Sequence, residues 1–314
     1  MDEIRPARSD LHDPPKGTAE GRDMTGWTAA DVPDQRGRTV LITGANSGLG
    51  AEATRVLAGA GARVVMGCRD VDAARVVAER IDGHTEVRRL DLADLASVRA
   101  FADGLDGHID VLINNAGVLA VPKGTTVDGF ERHIGTNHLG PFALTGLLVN
   151  RVHDRVVTVS SGLHVLGRIR DDLNWDRRRY QRWLAYGQSK LANLLFAYEL
   201  QRRLAAAGRH TVSVAAHPGV SATEGQRRDT SLQGRIVAGG RAQGPEMGVL
   251  PLLYAAVAPG VGGGDYVGPD GPRHRKGYPT LVRSSRASRD TTLAARLWER
   301  SEHLTGVRYA IEPR

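Results

Sequence analysis

Tyr186 and Lys190 stand four residues apart in the run Tyr-Gly-Gln-Ser-Lys. On a helix, positions i and i+4 share a face, so an ammonium can lie beside a phenol. A tyrosine titrates at about 10 when unperturbed, too high for a base at neutral pH. A neighbouring cation favours the phenolate and suits the phenol to general acid–base work. Alone, the pair reads equally as a surface tyrosine and a solvated lysine. A second unit is Thr43-Gly44-Ala45-Asn46-Ser47-Gly48-Leu49-Gly50, placed between an apolar run and a helical segment. There a glycine turn presents backbone N–H groups to a diphosphate. Gly44 permits the tight turn, Gly48 admits the phosphate, and Gly50 lets helix pack on strand.

The elements that must position these groups are legible as short apolar runs without a polar face. They are Val40-Leu41-Ile42, Val64-Val65-Met66, Val111-Leu112-Ile113, Val156-Val157-Thr158-Val159 and Val212-Ser213-Val214-Ala215-Ala216. Such runs suit parallel strands buried on both faces. Between them, Leu95, Val98, Ala102 and Leu105 fall on one helical face, and Leu191, Leu194, Leu195 and Tyr198 on another. Strand alternating with helix gives an α/β, doubly wound parallel sheet with helices on both sides. Polar groups follow several strands: Asn114-Asn115-Ala116-Gly117, Ser160-Ser161, and Pro218-Gly219 with Thr223 four residues later. Each alone is a cap or a turn. Together, at the carboxyl ends of parallel strands, they converge on the crevice where such sheets bind ligands.

The end of the second run reports on the ligand. An acid there would bind the ribose 2′-hydroxyl of NAD(H), and Cys68 stands about where it would be. Arg69 suits a charge-assisted bond to the 2′-phosphate of NADP(H) and favours that cofactor. Asp70 keeps NAD(H) open if the strand ends later. Cys68 itself reads as a small strand-end filler.

The chain has 314 residues, a formal charge of +7 and one cysteine. No intrachain disulfide can form, which points to a reducing, cytoplasmic setting. The most apolar stretch, Val249 to Ala258, is about half a membrane span, so none is expected. Arginines are scattered among acids, which favours a solvated surface over a nucleic-acid face. Residues 1–36 are polar and aperiodic and read as a disordered extension, with the folded domain over 37–314. Met24 is the expected natural start. His138, His164 and His217 have no metal-ligand spacing, and no metal is expected. Trp175 and Trp183 either wall a pocket or staple a loop.

The set TGANSGLG, NNAG, TNHLGPF, VTVSS, YGQSK and HPGVSAT resembles the short-chain dehydrogenase/reductase superfamily, nearest its retinol-dehydrogenase-like and bacterial branch. The match spans about residues 36–310. It implies a single Rossmann-type domain with about seven strands in the order 3-2-1-4-5-6-7. It also implies hydride transfer between a nicotinamide and a small-molecule carbonyl or alcohol. Tyr186 would be the general acid/base, Lys190 would lower its pKa and bind the nicotinamide ribose, Ser161 would bond the substrate oxygen, and Asn137 would hold a relay water. Asp91 and Leu92 would meet the adenine, Asn115, Ala116 and Gly117 the adenosine ribose, and Val220 and Thr223 the nicotinamide amide. Relatives range from monomers to tetramers, often paired through the helices carrying Asn137 and Tyr186, so a homodimer or homotetramer is expected. The 25 residues from Ser161 to Tyr186 exceed the spacing usual in the superfamily. The extra segment must loop out for the two to meet. Residues 224–244 should cover the substrate, and Leu163, Val165 and Leu166 should wall it, which suggests a lipophilic ketone, aldehyde or alcohol. The rival reading is a dinucleotide-binding sensor or scaffold without turnover, although such proteins usually lose the tyrosine or lysine.

Overall fold

The apolar runs become the middle of one sheet because their residues must be covered on both faces. The computed structural model describes residues 26–220 and 243–313. Its strands are β1 (Thr39–Thr43), β2 (Arg63–Cys68), β3 (His84–Arg89), β4 (Ile109–Asn114), β5 (Val152–Val159), β6 (Val212–Ala216), β7 (Tyr266–Pro269) and β8 (Pro279–Leu281). They form one sheet in the order β3-β2-β1-β4-β5-β6-β7-β8. All pairs are parallel except β7 with β8. The expected order holds, and an antiparallel eighth strand closes the edge.

Helices α1 (Gly48–Gly59), α2 (Val71–Ala78), α3 (Leu95–Asp103), α4 (Gly140–Leu148), α5 (Arg182–Ala206), α6 (Leu250–Val257) and α7 (Thr291–Thr305) cover the sheet. Alternation along a strand assigns the faces. Val40 and Ile42 of β1 pack in a cluster with residues of α1 and α6, whereas Leu41 packs with residues of α3, α4 and α5. Asp70, Asp94 and Asp290 accept first-turn backbone N–H groups and so start α2, α3 and α7. The apolar stretch 249–258 is buried against the sheet. Among the described residues no helix is long and apolar enough to cross a membrane.

One expectation needs correction. Residues 26–36 were assigned to the extension, yet they pack. Trp27 meets Tyr254 edge-on at 5.3 Å, Thr28 caps a short 3-10 turn, and Gln35 is fully buried. Polarity concealed this, because only Trp27, Ala29 and Val32 of the segment pack on the core, too few and too irregularly spaced to read as an apolar stripe. The outer side of α5 is covered by α7, with Phe196 stacked on Trp298 at 5.8 Å and Arg203 over the same indole at 4.4 Å. Met24 and Thr223 lie outside the described residues, as do residues 1–25 and 224–242.

Candidate active site

The direction of the strand order reverses between β1 and β4, and the carboxyl ends of the strands meet there. Thr43 pairs with Gly67, Asn114 with Thr158, and Val159 with Ala216, so the strand ends form one ledge. Thr43 ties the ledge together. Its hydroxyl accepts from the N–H groups of Asn115 and Ala116, each at 3.0 Å, and Asn115 Nδ2 donates to Thr43 O at 2.9 Å. The Asn115 amide thus holds two strand ends together while its residue lines the crevice.

A cavity of about 960 Å³ runs along this ledge. At one end are Arg69, Asp70, Asp91 and Leu92, and at the other Ser161, Tyr186, Lys190 and Val220. Gly44, Asn46, Ser47, Gly48, Leu49, Ala116, Gly117, Pro218 and Gly219 line it between. The glycine turn fits a diphosphate. Gly44 and Gly48 have φ of 67° and 52°, a region costly for side-chain-bearing residues. A Cβ on Gly50 would lie 2.1 Å from Gly44 O and 2.7 Å from Asn115 Nδ2. Ser47 precedes α1 but makes no capping bond, unlike the aspartates of α2, α3 and α7. The amino end of α1 therefore keeps its N–H groups for a ligand in the cavity. Gly50→Ala is expected to abolish dinucleotide binding, because the methyl must push the turn open. A fluorescence titration with NADPH checks this, and retained affinity would show that the turn tolerates the shift.

At the ribose end, Asp70 Oδ1 accepts from Ala73 N at 3.0 Å and caps α2, while Arg69 is exposed on the cavity wall. Strand β2 ends at Cys68, as the first alternative required. Cys68 is buried and free, and burial raises its thiol to about 11. It is a filler. Asp91 Oδ1 accepts from Ala93 N at 2.9 Å, which fixes the turn after β3.

At the other end, Lys190 and Tyr186 share one face of α5, with Nζ 5.7 Å from the ring centre. Lys190 Nζ donates to Val159 O at 3.0 Å, and Ser160 Oγ donates to Lys190 O at 2.8 Å. Ser161 meets the tyrosine despite the long spacing. After it the chain makes a 3-10 turn, Gly162–Leu166, that returns directly onto α5. A Cβ on Gly167 would lie 2.4 Å from Gly187 O, so only glycine allows this approach. The loop beyond it is stapled by Trp175 and Trp183, both buried and neither on the cavity wall. Of the expected wall residues Leu163 lines the cavity, whereas Val165 and Leu166 are exposed, because a 3-10 turn presents only one side to the helix.

The electrostatics reverse one expectation. Burial pushes the Tyr186 phenol up to about 12, opposed by a hydrogen bond from Ser161. Burial also pulls the Lys190 ammonium down to about 8. Spacing placed the cation correctly, but burial outweighs its effect on the phenol in the protein alone. Asn137 lies in a π-helical turn, Gly135–Leu139, a wider coil that often marks functional sites. Its Oδ1 accepts from Val118 N at 2.7 Å, and its Nδ2 donates to Val118 O at 3.0 Å and Ser189 Oγ at 2.9 Å.

A family profile described as short chain dehydrogenase matches residues 38–233. The chain belongs to the short-chain dehydrogenase family. Human retinol dehydrogenase 13 is 39% identical over 307 residues, covering 90% of this chain and 89% of that protein. Human retinol dehydrogenase 11 is 40% identical over 284 residues, with 86% of each covered. A crystal structure of an uncharacterized protein from Mycobacterium paratuberculosis is 51% identical, with a TM-score of 0.81 over 91% of this chain and all of that one. The Pseudomonas aeruginosa RhlG/NADP active-site complex is 26% identical, with a TM-score of 0.61 over 76% of this chain and 97% of that one.

Some lining residues of this short-chain dehydrogenase escaped the sequence reading. Arg182 lies one turn before Tyr186 on the same helix face, a signal that was available. Arg273, His274 and Arg275 arrive from beyond β7, where no spacing links them to the site. Gln243 N–H donates to Val220 O at 3.0 Å, and its Nε2 to Pro218 O at 2.9 Å, so the chain rejoins at the cavity mouth. Among the described residues, the one group of side chains spaced to hold a metal ion, His108, Asp110 and His153, lies away from this crevice at the opposite ends of β4 and β5.

Proposed function

We propose that this protein transfers a hydride between NADP(H) and the carbonyl or alcohol carbon of a lipophilic substrate. One observation carries the proposal: Ser161, Tyr186 and Lys190 gather beside an apolar wall of Leu119, Ala120, Val121, Pro122 and Leu163, in the cavity whose far end holds the glycine turn, with Asn137 buried behind that wall on Val118 and Ser189. The relatives' name, retinol dehydrogenase, agrees with a lipophilic alcohol or aldehyde. A cytoplasmic location belongs to the same proposal, supported by the single free cysteine.

The cofactor supplies or accepts the hydride at its nicotinamide. Tyr186 supplies the proton. Held near 12 by burial, its phenol is protonated at neutral pH and suited to donate to a carbonyl oxygen. Ser161 Oγ orients that oxygen. Lys190, at about 8, keeps most of its charge at neutral pH and can bind a ribose hydroxyl.

Arg69 supports NADP(H), since Asp70 is committed to capping α2. Losing a charge-assisted bond costs about 1.5–3 kcal/mol, or roughly 10- to 100-fold in affinity. Arg69→Ala is expected to weaken NADPH by that factor and leave NADH unchanged in nicotinamide-fluorescence titrations. Equal weakening of both would refute the NADP(H) assignment. Binding of neither cofactor to the unaltered protein would remove the enzyme reading and the dinucleotide-binding rival with it.

A further inference from the structure

A buried polar cluster sits directly behind the catalytic tyrosine and has no part in the chemistry described so far. Glu131 and His133 have fully buried side chains, and the His133 ring meets Tyr186 edge-on at 6.1 Å. Val121 N–H donates to His133 Nε2 at 3.1 Å. That nitrogen must then be the unprotonated one, so Nδ1–H faces Glu131 Oε1 at 2.7 Å. Glu131 Oε2 accepts from Ile134 N at 2.9 Å. Burial works against charge on this carboxyl, but the bonds from His133 and Ile134 hold it below its usual range. Tyr180, from the long segment between Ser161 and Tyr186, places its hydroxyl 3.1 Å from Val121 O, Glu131 Oε1 and His133 Nδ1. With Nδ1 already a donor, the single phenolic proton is shared between Val121 O and Glu131 Oε1, equidistant at 3.1 Å.

The consequence lies in Val121. Its N–H and its C=O are both held by this cluster, just as both backbone groups of Val118 are held by Asn137. Between the two fastened residues, Ala120 has a φ of 46° and is buried. A left-handed alanine is strained and persists only where its surroundings impose it. The loop that forms the apolar wall is thus bracketed at both ends and strained in the middle.

We infer that His133, with Glu131 and Tyr180, is a specificity-determining positioning device that pins the apolar wall Leu119–Pro122 and so sets which carbon skeletons fit beside Tyr186. This rests on the reading of the crevice as a carbonyl-reducing site. The long Ser161–Tyr186 segment then serves substrate selection through Tyr180, and the wall's shape depends on residues that touch neither substrate nor cofactor.

The test compares His133→Asn, His133→Gln and Tyr180→Phe. Asparagine can keep the donor to Glu131 but is too short to reach Val121, whereas glutamine can place an oxygen near the Nε2 position. Tyr180→Phe removes one hydroxyl and keeps the ring against Trp175, 5.7 Å away. NADPH-dependent reduction of straight-chain alkanals, butanal to decanal, is measured beside amide exchange of the peptide covering 118–123. His133→Asn and Tyr180→Phe are expected to raise KM for decanal roughly five- to tenfold, the worth of one hydrogen bond. They should also flatten the chain-length preference, speed exchange in 118–123, and leave NADPH affinity unchanged, with kcat kept in Tyr180→Phe. His133→Gln should behave as the unaltered protein. Exchange and chain-length preference unchanged in both His133→Asn and Tyr180→Phe would overturn the inference, as would equal losses in all three variants. Should the unaltered protein bind NADPH but reduce no alkanal, the activity reading fails, and the exchange measurement still decides whether Val121 is pinned.

Discussion

Tyr186→Phe is expected to lower turnover by roughly 10²–10⁴-fold, the usual contribution of a positioned acid or base, with NADPH affinity unchanged. The change removes one oxygen and little else. The ring is buried and held by edge contacts with His133 at 6.1 Å and Trp183 at 6.5 Å, which phenylalanine keeps. Ser161 retains its bond from Leu163 N at 3.2 Å, so the 3-10 turn should stay in place. What disappears is the only phenol lining the cavity among the described residues, and with it the proton for the substrate oxygen. Single-turnover hydride transfer to an alkanal, set beside a cofactor titration, separates the two effects. Rates like those of the unaltered enzyme would end the proposed role of Tyr186.

The sequence made the middle of the sheet legible because β1, β2, β4, β5 and β6 need apolar residues on both faces. Strand β3 lacks that signal. His84-Thr85-Glu86-Val87-Arg88-Arg89 is polar because the strand is the outermost and pairs only with β2, where Glu86 takes an ion pair from Arg63. Strand β8 has three residues and gives no periodicity. For the site, the i, i+4 spacing placed Lys190 beside Tyr186, and the glycine turn placed the amino end of α1. Spacing carries no information on burial, so the direction of both pKa shifts was hidden. The Glu131–His133–Tyr180 cluster was equally hidden: its members lie up to 49 residues apart in sequence and meet only because the long segment folds back. Trp175 shows the same limit. It reads equally as pocket wall or staple until Arg178 is found stacked on it at 3.6 Å, away from the cavity.

Lys190→Met is expected to abolish efficient turnover and yet raise the melting temperature of the cofactor-free protein at pH 7. Burial lowers the Lys190 pKa from 10.5 to about 8, so the folded chain holds the proton less tightly than the unfolded one. The shift thus opposes folding wherever the lysine is charged in both states. That cost is fully present below pH 8 and fades as pH rises towards 10.5, where the unfolded lysine also loses its proton. Tyr186 acts the other way at higher pH. Its pKa rises from 10.0 to about 12, so its contribution to stability is lost between those values. The stability of the unaltered protein should therefore climb from pH 8 towards 10 and then decline. At 1.36 kcal/mol per unit, the lysine costs roughly 3 kcal/mol at pH 7. Methionine fills the space of the aliphatic stem without a charge. Val159 O is not orphaned, because Asn193 Nδ2 donates to it at 3.0 Å. A gain on the order of 5 °C follows for a chain of this size, shrinking by pH 10. Thermal scans of both proteins without cofactor, at pH 7 and pH 10, read this directly. An equal or lower melting temperature for Lys190→Met at pH 7 would mean that the ammonium is solvated and the burial argument fails. The predicted gain would instead show that folding bears the cost of a buried cation held for the cofactor and for Tyr186.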